Sequence, residues 1–182
     1  MMKWLMLLAV LCLLSPPAAA QVPSQTHVGL FVDDTHTSWC TFGTPPFDVE
    51  LWIWVQPGAG GFTAVEFDMP YPDGVVQGPY VENPDLWHRP TKCTGDCPWS
   101  FGFENCQTSW LWLYHETLTV TSPDQMTIAL QYHPTGENYV TVWNCNNEEE
   151  QGVILSNLYI NTCEALPIRP ATWGAIKGLY GE

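Results

Sequence analysis

The sequence predicts an all-β antiparallel sandwich of immunoglobulin-like or jelly-roll-like type, and three observations predict it. Short segments of alternating hydrophobicity recur along the chain. Clusters of Pro, Gly, Asn and Asp separate them, and between residues 21 and 165 no stretch sustains a helical period. Strands of this length with turn signals between them pack as two facing sheets.

Seven segments carry the pattern: His27 to Val32, Phe47 to Val55, Phe62 to Met69, Ser109 to Val120, Gln125 to Tyr132, Tyr139 to Cys145 and Val153 to Ile160. The turn signals include Pro57-Gly58-Ala59-Gly60-Gly61, Ser122-Pro123-Asp124 and Pro134-Thr135-Gly136-Glu137-Asn138. Residues 70–108 break this rhythm. They are rich in Pro, Gly and Asn, hold Cys93, Cys97 and Cys106, and read as a long disulfide-tied insertion in the sandwich of residues 21–164. No repeat recurs at a fixed period.

The two ends differ from this body. Lys3, the apolar run Trp4 to Leu14 and Ala18-Ala19-Ala20 have the form of a signal peptide over residues 1–20, and the run is too short to span a bilayer. No later segment is a membrane-span candidate. In residues 165–182, Thr172 can cap a short helix whose face carries Trp173, Ile176 and Tyr180. With two glycines such a helix is unstable alone and must dock, either closing the core or serving as a tag for export, attachment or assembly.

Removal of the signal leaves six cysteines: Cys40, Cys93, Cys97, Cys106, Cys145 and Cys163. An even number in an exported chain points to disulfides. Spacing suggests one bridge within Cys93, Cys97 and Cys106, another between Cys145 and Cys163, and a distant partner for Cys40, although fifteen pairings are possible in principle. A zinc site from His88, Cys93, Cys97 and Cys106 is the rival use, but its spacing matches no common finger. All 19 acidic residues lie after the signal, against Arg89, Lys92, Arg169 and Lys177, a net charge of about −15. Such a surface repels phosphate backbones and argues against nucleic-acid binding.

The candidate ligand site is a pair of aromatic rows. In Leu51-Trp52-Ile53-Trp54-Val55 and Trp110-Leu111-Trp112-Leu113-Tyr114, alternation puts aliphatic residues on one face and aromatic residues on the other. Continued outward, the rows reach Glu50 and Glu116. Trp52, Trp54, Trp110, Trp112, Tyr114, Glu50 and Glu116 therefore form a candidate platform, with rings to stack on sugars and carboxylates to accept hydroxyl hydrogen bonds. The alternative is that residues 70–108 fold over this face and bury it. Asp33-Asp34 and Asn146-Asn147-Glu148-Glu149-Glu150 are oxygen-rich turns that could attract calcium, but neither has the EF-hand spacing, and no metal or cofactor is expected. The common motifs of hydrolases, zinc proteases and nucleotide-binding enzymes are lacking. A glycosidase pairing of Glu50 with Glu116 is the one distant enzymatic reading.

Phe47 to Val55, the glycine turn and Gly61-Phe62-Thr63-Ala64-Val65-Glu66-Phe67-Asp68-Met69 resemble the opening strands of cohesin-like sandwiches. Asn105-Cys106-Gln107 and the ending Thr172-Trp173-Gly174-Ala175-Ile176-Lys177-Gly178-Leu179-Tyr180 resemble a group of small secreted bacterial proteins of unknown function. The cohesin likeness implies a non-catalytic, secreted or cell-surface module that binds an extracellular protein or glycan. A carbohydrate-binding module using the aromatic rows is the alternative. The cysteine-rich insertion and the many tryptophans depart from cohesins.

Overall fold

The computed structural model describes residues 23–88, 98–132 and 137–163. The expected signal peptide and C-terminal helix, together with Cys93 and Cys97, lie outside the described residues.

The expected sandwich is present, built among the described residues from twelve strands. They are β1 (His27–Phe31), β2 (Cys40–Thr41), β3 (Phe47–Gln56), β4 (Phe62–Phe67), β5 (Val75–Glu82), β6 (Leu86–His88), β7 (Trp99–Gln107), β8 (Leu111–Val120), β9 (Met126–Ile128), β10 (Val140–Trp143), β11 (Glu149–Ser156) and β12 (Leu158–Ile160). Nine form one continuous ladder in the order β5-β8-β3-β1-β11-β10-β4-β7-β6. β11 is the shared strand: Glu149 to Gly152 pair antiparallel with β10, and Val153 to Ser156 pair parallel with β1. The ladder thus folds over at β11 into a β5-β8-β3-β1 layer and a β10-β4-β7-β6 layer. Trp99 and Phe101 of β7 meet Tyr114 of β8 across the interior, with ring centroids 5.4 and 6.4 Å apart. A small sheet, β2-β12-β9, completes the sandwich.

The core follows the predicted alternation. Val49, Leu51, Ile53 and Val55 of β3 are buried, as are Phe62, Val65 and Phe67 of β4, and one contiguous apolar cluster joins both layers. Burying a side chain of this size contributes about 1.5–3 kcal/mol, so the alternating faces supply most of the drive to fold.

Residues 70–108 differ from the expected loop. They supply β5 at one edge of the ladder and β6 and β7 at the other. Their alternation is hidden because the strands are irregular: the β5–β8 register slips between Gln77 and Tyr80, around Gly78-Pro79, and the β4–β7 register slips after Phe62. Proline and a bulge on an edge strand also discourage pairing with other chains.

The disulfides correct the expected pairing. Cys40 joins Cys163 across 123 residues, as its distant partner, whereas Cys106 joins Cys145 across 39. Cys145 and Cys163 are therefore not bridged to each other, and Cys106 is not available to a zinc site. The β4–β7 and β10–β4 pairings draw Cys106 and Cys145 to the same end of the second layer, a proximity that sequence distance does not show.

Candidate functional site

β3 and β8 pair antiparallel, and facing residues of such a pair share a face. Leu51 faces Glu116, Trp52 faces His115 and Ile53 faces Tyr114, but Trp54 faces Trp112. Leu113 is the surplus residue of a bulge. Such an insertion shifts the alternation by one, so the simple period-2 reading of β8 fails there. Trp112 stays on the outer face, while Tyr114 and Glu116, expected beside it, turn into the core, each 1% exposed.

On the outer face Trp52, Trp54, Trp110 and Trp112 are all half-buried. Trp52 stacks on His115 at 4.0 Å with planes 12° apart, and Trp112 meets both rings edge-on, at 5.7 Å from Trp52 and 5.5 Å from His115. Glu50, exposed at the end of the strip, approaches His115 Nδ1 at 3.5 Å and accepts a 2.8 Å hydrogen bond from Thr117. One step further along β3, Asp48 accepts from Thr119 at 2.7 Å.

Among the described residues, the partial cover comes from the loop after β1, through His36. His36 stacks on Trp110 at 4.3 Å, with planes 16° apart, and lies 4.8 Å from Trp54. Asp33 holds this loop. Its Oδ1 accepts hydrogen bonds from the Thr35 and Thr37 N–H groups and from the Thr35 hydroxyl, at 2.8–3.0 Å, and its Oδ2 accepts from the Thr37 hydroxyl at 3.1 Å. Burial pushes the Asp33 carboxyl up, but these hydrogen bonds outweigh it and hold the group below the usual aspartate range. His36 itself has positive φ, at 50°, a conformation that this tight turn imposes. Both Trp54 Nε1 and His36 Nδ1 are buried without a hydrogen-bond partner. Nothing in the sequence marks His36 for this place, since the contact depends on loop closure between elements far apart in the chain.

Behind the strip lies a polar cluster in the core. Glu116 accepts hydrogen bonds from the Tyr71 hydroxyl at Oε1 and from the Tyr114 hydroxyl, 2.9 Å away, at Oε2. Burial first, then the charge of Glu116 and its hydrogen bonds, push both phenols well above the ordinary tyrosine range. Tyr71, from the stretch expected to be loop, is the residue that makes a buried glutamate tolerable here.

This arrangement separates Glu50 from Glu116. One is exposed on the outer face, the other sealed in the core on the opposite side of the same sheet. The two carboxylates do not converge on a common space, so this pair cannot flank a glycosidic bond. Asp33 is committed to its own loop. Asn144 orders the acidic turn after β10, its Oδ1 accepting from the N–H groups of Asn146 and Glu148 and its amide donating to Glu148 at 3.1 Å. Among the described residues, no three His, Cys, Asp or Glu side chains cluster as a metal site.

No family model matches the chain, and no curated protein does either. Solved structures do. A non-cellulosomal cohesin from the hyperthermophilic archaeon Archaeoglobus fulgidus overlaps it with a TM-score of 0.53 at 9% identity, covering 82% of this chain and 99% of that one. A cohesin module from a Clostridium perfringens family 33 glycoside hydrolase gives 0.54 at 11% identity, over 76% and 98%. A chain of a type I cohesin–dockerin complex from Clostridium thermocellum gives 0.51 at 9%, over 78% and 97%. The fold is therefore a cohesin-like β-sandwich. At such identities the likeness is one of fold.

Proposed function

We propose that this chain is a non-catalytic, secreted module that binds another protein outside the cell or at its surface. The overlap with cohesin modules over nearly their whole length carries this reading, since one such chain occurs in a cohesin–dockerin complex. The docking surface is the outer strip of Trp52, Trp54, Trp110 and Trp112, bordered by Glu50. Indoles at the centre and a charged residue at the rim match the anatomy of protein interfaces. One plane of Trp52 and one of Trp110 already carry imidazoles, so a partner packing on ring edges and on the second planes fits this strip better than a sugar that needs an open ring face. In this reading residues 1–20 direct export and residues 165–182 are a C-terminal segment, a short helix or a tag.

The test is capture with the purified mature chain from the source's culture medium and cell envelope, followed by calorimetry on the identified, purified partner. Trp52→Ala and Trp112→Ala should each weaken binding about thirtyfold, the effect of losing about 2 kcal/mol at an interface centre. An identified partner whose affinity ignores both changes refutes this surface, and the absence of any specific partner refutes the function.

A carbohydrate-binding module is the second reading, favoured by four half-exposed indoles in a row beside an exposed carboxylate. Glycan arrays decide it: signal lost in both variants supports a sugar platform on the strip, and no signal for the parent chain removes it.

A further inference from the structure

Trp87 has the highest exposure, 75%, of the large hydrophobic side chains among the described residues. It sits on β6, the edge strand of the second layer, far from the β3–β8 strip in ladder order. The β6–β7 register slips at this residue, between the Leu86–Phe103 and His88–Gly102 pairs, and such irregularities re-aim side chains. β7 bulges next to it. The step from Phe62 to Ala64 on β4 faces the longer step from Gln107 back to Gly102, and the surplus leaves Glu104 and Asn105 exposed.

The result is a cleft of about 470 Å³ in which Trp87 and Pro84 lie beside Asp85, Glu104, Asn105 and Gln107. Its frame is fixed by a buried asparagine on one side and a disulfide on the other. Asn83 is buried, receives an N–H bond at Asp85 on its Oδ1 at 2.9 Å, and ties the turn to β8 through Nδ2 to the Trp112 carbonyl at 2.6 Å and through N–H to the Leu113 carbonyl at 3.0 Å. On the other side, the Cys106–Cys145 bridge anchors β7 beside Asn105 and Gln107, and the Gln107 amide donates to the Asn105 carbonyl at 2.9 Å. A preset wall lowers the ordering cost of binding.

We propose that this cleft binds a neutral oligosaccharide. The indole of Trp87 carries the apolar C–H face of one sugar ring. Hydroxyl groups of the ring donate to the carboxylates of Asp85 and Glu104 and accept from the amides of Asn105 and Gln107. The composition selects this class. A greasy ligand would desolvate the carboxylates of Asp85 and Glu104 and the amide of Asn105 without offering them partners, which is costly. Anionic glycans and nucleotides meet two carboxylates on a chain of formal net charge −14. The volume lies within the range of small-molecule sites, and an aromatic plane with a few placed polar groups is their usual lining. This site uses none of the side chains of the protein-docking strip, although its Asn83 turn is hydrogen-bonded to the backbone at Trp112 and Leu113.

The experiment uses the mature, disulfide-bonded chain and neutral gluco-, xylo- and N-acetylglucosamine oligomers of several units, with hyaluronate fragments as the anionic control. Calorimetry and the indole N–H signals of a ¹H–¹⁵N spectrum report binding. A neutral oligomer should bind, shift the Trp87 indole signal, and lose at least about tenfold in affinity in Trp87→Ala and Glu104→Gln, while Trp52→Ala keeps full affinity. Thermal melts of Trp87→Ala and Glu104→Gln should match the parent, because both substituted groups are exposed. No binding of any neutral oligomer at millimolar concentration overturns the proposal. So does binding that survives Trp87→Ala, binding lost only in Trp52→Ala, or a protein ligand that alone depends on Trp87.

Discussion

Trp52 of β3 and His115 of β8 are cross-strand partners whose rings stack at 4.0 Å, so the strip is held together by its own side chains. Aromatic pairs of this kind contribute about 0.5–1.5 kcal/mol beyond the area they bury. Trp52→Ala and His115→Ala should each destabilise the fold by about 1–2 kcal/mol, and the double variant should lose less than their sum by about 0.5–1.5 kcal/mol. Urea unfolding of the four proteins measures this. Simple additivity would mean that the stack contributes nothing of its own.

The Tyr71–Glu116–Tyr114 cluster makes the fold sensitive to alkali. Both phenols are raised in the folded state, by burial and then by Glu116, above the unfolded value of about 10. Their contribution is therefore complete below about pH 10 and is lost as pH rises from there through the raised folded values. Melting temperatures from pH 7 to 11 should fall more steeply above pH 10 for the parent than for Tyr71→Phe or Tyr114→Phe. At neutral pH each substitution leaves Glu116 short of a donor, at a cost of about 1–3 kcal/mol. Parallel pH profiles would contradict the assignment.

Asp33 governs how far the strip is covered. With its carboxyl held low by four donors, its contribution is present above the unfolded pKa of about 3.9 and lost as pH falls through the lowered folded value. Asp33→Ala should cost about 1 kcal/mol and release His36 from Trp54 and Trp110. Acrylamide should then quench tryptophan fluorescence more strongly at pH 7 in the variant, whereas equal quenching would show that the cap does not depend on Asp33.

The Cys40–Cys163 and Cys106–Cys145 bridges close loops of different length. Replacing Cys40 and Cys163 by Ser, or Cys106 and Cys145, should cost about 2–5 kcal/mol in each case, with the 123-residue closure worth about 1 kcal/mol more than the 39-residue one on chain entropy. Denaturant midpoints of the two paired variants test that order, and a larger loss from the shorter loop would count against it.

Much of the fold was legible because alternating burial is a local signal. Phe47 to Val55 and Phe62 to Phe67 fold as read, and their pattern with the glycine turn carried the cohesin likeness. The site was legible only in part. Trp52, Trp54 and Trp112 share the outer face as expected, but one surplus residue, Leu113, sends Tyr114 and Glu116 inward. No residue type announces such a bulge. β5 and β7 were missed for the same reason, their alternation being broken by Gly78-Pro79 and by Glu104-Asn105. The bridge from Cys106 to Cys145, and the placing of His36 on Trp110, depend on which distant strands become neighbours.

The shared strand β11 also constrains the order of events in time. β1 opens the domain, yet one of its two flanks stays bare until Val153 to Ser156 arrive, and the Ser156 hydroxyl then donates to Leu30 from 126 residues away. Until that segment has emerged, the two layers lack the strand that joins them into one ladder. Contacts of such long reach form slowly. The domain therefore reaches its final shape only once residues 153–156 are in place.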